Sequence, residues 1–152
     1  MTKTLYQASL GSDTGFDKLV KATNEKIYSC QSVFPFTLFP DIIKVDQYKI
    51  DIIYSIFFFS KSVFTILLKD VRTVKVDSGL FFATLNIEVI GYEKNPTPVR
   101  FLPKAAAFKL RDIIMGLVAA KRNKVDLATI DEKTLKADAQ KVGSTRENLM
   151  SS

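Results

Sequence analysis

The stretch IDIIYSIFFFSKSVFTILLKD, residues 50–70, is the most apolar part of the chain and constrains its folding more than any other. It must either cross a membrane or supply strands to a core. A spanning helix needs about 20 predominantly apolar residues. The window from Ile52 to Leu68 holds 17 and carries Lys61 near its middle. A lysine at the bilayer centre costs roughly 2.5–3.5 kcal/mol on insertion scales. Ser55, Ser60, Ser62 and Thr65 add polar cost, and the abundance of Ile, Phe, Tyr, Val and Thr favours strands. The period of two puts Ile50, Ile52, Tyr54, Ile56 and Phe58 on one strand face. With Ser60-Lys61-Ser62 as a three-residue loop, Phe64, Ile66 and Leu68 continue that face on a return strand, so the stretch is predicted to be a hairpin.

Other short strands surround it. Residues 41–46 form one before the hairpin strands 48–59 and 63–68. Lys69-Asp70 turns into 71–77, Ser78-Gly79 turns again into 80–90, and GYEKNP connects to a last strand at 97–102. Pro98 there suggests an edge or a strand start. At Pro103, suited to a first helical position, the apolar period changes to 3.6. Ala107, Leu110, Ile114, Leu117 and Val118 form one stripe, flanked by Ile113 and Met115, and the helix is predicted to end near Arg122.

Flanking segments are predicted to be helical. Phe16, Leu19, Val20, Thr23 and Ile27 fall at helical spacing, with Thr14 or Asp13 as the cap. Thr129 and Glu132 make a capping box for a short helix over 130–141, with Gly143 as its stop and a loose tail beyond. Residues 32–40 contain two prolines and read as extended chain. The expected organisation is an N-terminal extension (1–31), a β-rich unit (32–124) and a helix with a tail (125–152).

Composition removes several chemistries. Without histidine there is no Ser-His-Asp triad and no His metal site; with a single cysteine, Cys30, a zinc site is nearly excluded as well. The lone cysteine and the absence of an apolar leader in MTKTLYQASLGSDTGFDK lead to an expectation of a cytoplasmic protein. The acids are scattered, and no pair has motif spacing for general acid–base work. Asp70 reads as a turn residue. Lys44 or Lys26 is placed in sequence to lower the Cys30 pKa, but nothing requires a reactive thiol. No phosphate-binding glycine motif occurs. No catalytic residue, metal ligand or cofactor site is therefore expected.

The net charge of +6 is concentrated. Arg100, Lys104, Lys109, Arg111, Lys121, Arg122 and Lys124 face only Asp112 within residues 100–124, so this segment carries the whole excess. Lys121, Arg122 and Lys124 also suit a helix C-terminus. The remaining cations are candidates for an anionic surface.

The run from FPDIIKVD to LNIEVI, followed by VRFLPKAAAFKLRDIIMGLVAAKR, resembles a bacterial pleckstrin-homology (PH-like) domain over about residues 39–122. FTILLKDVRTVKVDSGLFFATLNIEV carries most of the likeness: a strand enters an Asp-hydrophobic-x-x-Val turn, and a glycine precedes the next strand. The resemblance implies a mostly β fold with α, a small antiparallel barrel or sandwich of six to seven strands capped by a C-terminal helix. The sequence places six strands; a seventh either comes from 32–38 or is absent. Many eukaryotic PH domains bind phosphoinositides through a basic loop between their first two strands. With strands counted from residue 41, that loop is VDQYK, short and near neutral, and departs from the pattern.

The opposite face of the hairpin raises a question of its own. Ile53, Phe57, Phe59, Val63 and Leu67 point away from the predicted core, and so large an apolar set asks for a cover. The N-terminal helix, VFPFTLF, another subunit or a membrane would each serve. The expected function is a non-catalytic interaction module that meets a protein partner or another copy of itself. The alternative is a peripheral binder of anionic membrane lipid through Lys61, Arg100, Lys104, Lys109 and Arg111. Nucleic acid is disfavoured, because the basic helix must bury its apolar stripe and no stacking platform interleaves with it.

Overall fold

A computed structural model describes residues 26–35, 37–57, 60–124 and 132–150. Seven strands form two antiparallel sheets. The first holds β1 (Tyr28–Gln31), β2 (Ile42–Val45), β3 (Lys49–Phe57) and β4 (Ser60–Leu67) in chain order. A single 3-10 turn, Leu68–Asp70, leads to the second sheet: β5 (Val71–Ser78), β6 (Phe82–Val89) and β7 (Val99–Pro103). Helix α1 (Lys104–Arg122) and helix α2 (Glu132–Met150) follow. The architecture is two open sheets with helices rather than a closed barrel.

Alternation builds the core. Ile43 and Val45 on β2, Ile50 and Ile52 on β3, and Ile66 on β4 are buried on one side of the first sheet. Val74, Ala83, Leu85 and Ile87 do the same for the second. The α1 stripe of Ala107, Leu110, Ile114, Leu117 and Val118 is fully buried, together with Ile113. The helix packs on β1 of the first sheet and on β5, β6 and β7 of the second, so one apolar stripe serves both. Each such aliphatic side chain contributes roughly 1.5–3 kcal/mol on full burial.

The tight turn between β2 and β3 is organised by Asp46. Its Oδ1 accepts the backbone N–H of Tyr48 and of Lys49, each at 2.8 Å. Burial pushes the Asp46 carboxyl above the usual aspartate range, and these two N–H groups pull against that.

Several expectations are corrected. The seventh strand is Tyr28–Gln31; the described residues of the expected one, 32–35 and 37–38, form no strand and lie between β1 and β2. Ile27 extends β1, its N–H bonding to Val45 O at 2.9 Å, so it lies in the sheet's lead-in rather than in a helix. The rest of the expected N-terminal helix lies outside the described residues. VDQYK joins the second and third strands. The loop between the first two strands, SVFPFTLFPD, contains no lysine or arginine. Pro103 ends β7, and Lys104 begins the helix.

The polar run Ser60-Lys61-Ser62 is the start of β4 and not a loop, because Phe57 pairs with Ser60 and Ser55 with Lys61. Ile56 is an extra residue in that ladder, and this bulge turns it outward to 62% exposure instead of continuing the inner face. Phe58 and Phe59 lie outside the described residues.

Gly143 does not stop a helix. α2 runs on to Met150, and Gly143 lies against α1: a Cβ there would stand 2.1 Å from Asp112 O. Gly116 mirrors it, with a Cβ meeting Ala139 O at 1.8 Å. The two helices touch backbone to backbone because both positions lack side chains. Leu135 and Ala139 are buried in the same contact.

Candidate interaction surfaces

The outer face of the first sheet is set by register. Gln31 pairs with Ile42, Ile42 with Ile53 and Ile53 with Val63, so three aliphatic side chains line up across β2, β3 and β4. Ile42 and Ile53 are half-buried and Val63 is 60% exposed. The next row is polar: Ser29, Lys44, Asp51 and Thr65. There Thr65 Oγ1 donates to Asp51 Oδ1 at 2.6 Å and Lys49 Nζ stands 3.0 Å from Asp51 Oδ2. Among the described residues, β4 is hydrogen-bonded along one side only, to β3.

Of the five residues expected on this face, Ile53, Val63 and Leu67 are brought together there, with Leu67 opposite Lys49. Phe57 occupies the last ladder position of β3, and Phe59 lies outside the described residues. Ile42 was missed, although the alternation in DIIKVD puts it opposite to the buried Ile43 and Val45. The loop before β2 is pinned to β3: the Ser55 N–H donates to Asp41 Oδ1 and the Ser55 hydroxyl to Pro40 O, both at 3.0 Å. Among the described residues, that leaves Val63 uncovered.

The positive segment is divided by the fold. Lys109 Nζ and Lys136 Nζ stand 5.8 and 4.9 Å from the centre of the Tyr28 ring, and Lys121 Nζ is 4.4 Å from that of Tyr48. Arg122 donates to Val71 O at 3.2 Å, and Arg111 lies 4.0 Å from Asp112. Lys109, Lys121, Arg122 and Lys136 thus tie the helices to the β-rich part, while Arg111 meets its neighbour on the same helix. Arg100, Lys104 and Lys61 have no hydrogen-bond or ion-pair partner among the described residues. Lys61 lies on the first sheet, Arg100 on the second and Lys104 at the start of α1, so the five residues expected to meet lipid do not form one patch.

A third surface was missed by sequence reasoning. Leu80 and Phe81 were expected inside a strand, but they form the apex of the β5–β6 hairpin, where they are 81% and 73% exposed. The Gly79 N–H bonds to Phe82 O at 2.8 Å and closes the turn behind them. A shallow groove of about 300 Å³ runs back from the apex, lined by Asp77, Phe82, Thr84, Arg100 and Phe101 among others. β7 bulges here: Ala83 pairs with Leu102 and Leu85 with Val99, leaving Thr84 opposite both Arg100 and Phe101. Phe101 takes φ 56°, left-handed backbone that is rare for a bulky residue, and its ring meets that of Phe82 edge-on at 6.1 Å. The extra residue exposes Arg100 and Phe101 together. The signal in the sequence was Ser78-Gly79 itself, since a hairpin turning there needs residues for its tip.

Little on these surfaces suggests bond-making chemistry. Burial pushes the Cys30 thiol up, against the lowering that Lys44 or Lys26 would produce. Tyr54 donates to Thr97 O at 2.6 Å, and burial, reinforced by the charge of Asp41, pushes its phenol up to about 12. Among the described residues no cluster of Cys, Asp and Glu is arranged to hold a metal ion, and no helix is long and apolar enough to cross a membrane. No protein-family model, curated protein or solved structure matches the chain.

Proposed function

We propose that the chain is a non-catalytic, PH-like interaction module that associates with a second copy of itself through β4. The order of strands, four then three in antiparallel sheets followed by a helix packed across both, supports the PH-like reading. One observation carries the association: the Ile42–Ile53–Val63 row runs out to the open edge of its sheet. An edge strand offers unpaired N–H and C=O groups to another edge. In an antiparallel ladder, residues directly opposite share a face, so a two-fold pairing must place a residue opposite itself. Centred on Val63, that pairing joins the two rows into six aliphatic side chains. It also sets Lys61 opposite Thr65 of the second copy, so no like charges meet. Such a contact is isologous and closes as a dimer.

Light scattering across a dilution series tests it. The wild type is expected at twice the monomer mass when concentrated. Val63→Lys, which puts two ammonium groups face to face on the axis, is expected to stay monomeric with unchanged thermal stability. A wild type that is monomeric at every concentration, or a Val63→Lys variant that still dimerises, contradicts the proposal.

A further inference from the structure

We infer that the Leu80–Phe81 tip is a wedge for an anionic lipid bilayer, with Arg100 and Lys104 meeting headgroup phosphates behind it. This goes beyond the β4 association and does not depend on it, because the tip belongs to the other sheet.

Shape comes first. Two consecutive large apolar side chains protrude at the end of a hairpin, and Leu80 and Phe81 are among the three most exposed large hydrophobic residues described, with Leu38. The groove behind them is shallow and open. A protein partner would have to offer a cavity to receive such an apex, whereas a bilayer interface accepts it anywhere. The tip is also held in place: the Gly79–Phe82 backbone bond closes it, and Phe101 packs on Phe82 at its base.

Charge points the same way. Of the seven cations that carry the chain's excess, Lys109, Lys121 and Arg122 are committed to Tyr28, Tyr48 and Val71 O, and Arg111 lies beside Asp112. Two of the three that remain flank the tip. Arg100 lines the groove, and Lys104 follows Pro103, which pairs with Phe82. A carboxylate, Asp77, also lines the groove and accepts a hydrogen bond from Asn86 at 3.1 Å, which limits the net pull on anions. The apolar tip therefore supplies most of the binding, and the two cations supply preference for anionic over neutral lipid.

The chain has no tryptophan, so Phe81→Trp gives a single reporter at the apex. Its emission is expected to shift to the blue with phosphatidylcholine vesicles containing phosphatidylserine, and to be quenched when the acyl chains are brominated. Co-sedimentation with these vesicles should fall about tenfold or more in Leu80→Ser/Phe81→Ser. It should become insensitive to salt in Arg100→Gln/Lys104→Gln. Both sites are at the surface, and an unchanged melting temperature confirms that these variants fold. Unshifted emission, with the protein left in the supernatant at low salt, overturns the inference. So does a blue shift that follows protein concentration without vesicles, since the tip would then be a contact between copies.

Discussion

Tyr54 shows how much at the residue scale is set by tertiary surroundings. Sequence period placed it on the inner face of β3, and it is half-buried there, but its bond to Thr97 O crosses to a loop 43 positions away. No local pattern announces that contact. Its phenol is held at about 12 against an ordinary 10, so between these values the folded state keeps a proton that the unfolded state has lost. Stability is therefore complete below about pH 10 and falls as pH rises through 12. Thermal unfolding followed from neutral to alkaline pH is expected to show this decline in the wild type and a shallower one in Tyr54→Phe. Equal slopes would remove Tyr54 as its source. Phe101 is equally hidden from sequence reading, because its left-handed backbone belongs to a bulge that exists only once β6 and β7 have paired.

Elements were more legible than their ends. Alternation located six of the seven strands to within a few residues, and the α1 stripe was read correctly, because a buried face imposes its period on the sequence. The errors came where one residue type serves two purposes. Ser60-Lys61-Ser62 looked like a loop because it is polar, yet an edge strand with an exposed face accepts polar residues. Gly143 looked like a helix stop because glycine commonly ends helices, yet here it is needed for contact between helices. An ordinary Gly→Ala change within a helix stabilises by roughly 0.5–1 kcal/mol. Gly116→Ala and Gly143→Ala are expected to reverse that sign and lose about 1–3 kcal/mol, because the added methyl meets Ala139 O or Asp112 O well inside contact distance. Urea denaturation midpoints measure the loss. A gain in either variant would mean that the helices do not pack as described.

At the scale of the whole molecule, the sequence showed that the chain has a positive segment and a surplus apolar face, but not how the fold would divide them. The charge excess is contiguous in sequence, yet the fold sets three of its seven cations against tyrosines and backbone and leaves Arg100 and Lys104 beside an apolar tip. Among the described residues, the surplus face carries an aliphatic row, Ile42–Ile53–Val63, that ends on Val63 at the edge of the sheet, with Leu67 further along β4. Self-association depends on what meets that edge. Introducing a thiol by Val63→Cys tests it directly, since the only native cysteine, Cys30, is buried. In the two-fold pairing, the two Cα atoms at position 63 stand about 4.5–5.5 Å apart, within disulfide range. Mild oxidation is expected to convert Val63→Cys quantitatively into a covalent dimer that reductant reverses, while Lys44→Cys, two strands from the edge, stays monomeric. If Val63→Cys remains monomeric under oxidation, or cross-links no faster than Lys44→Cys, then β4 is not where two copies meet.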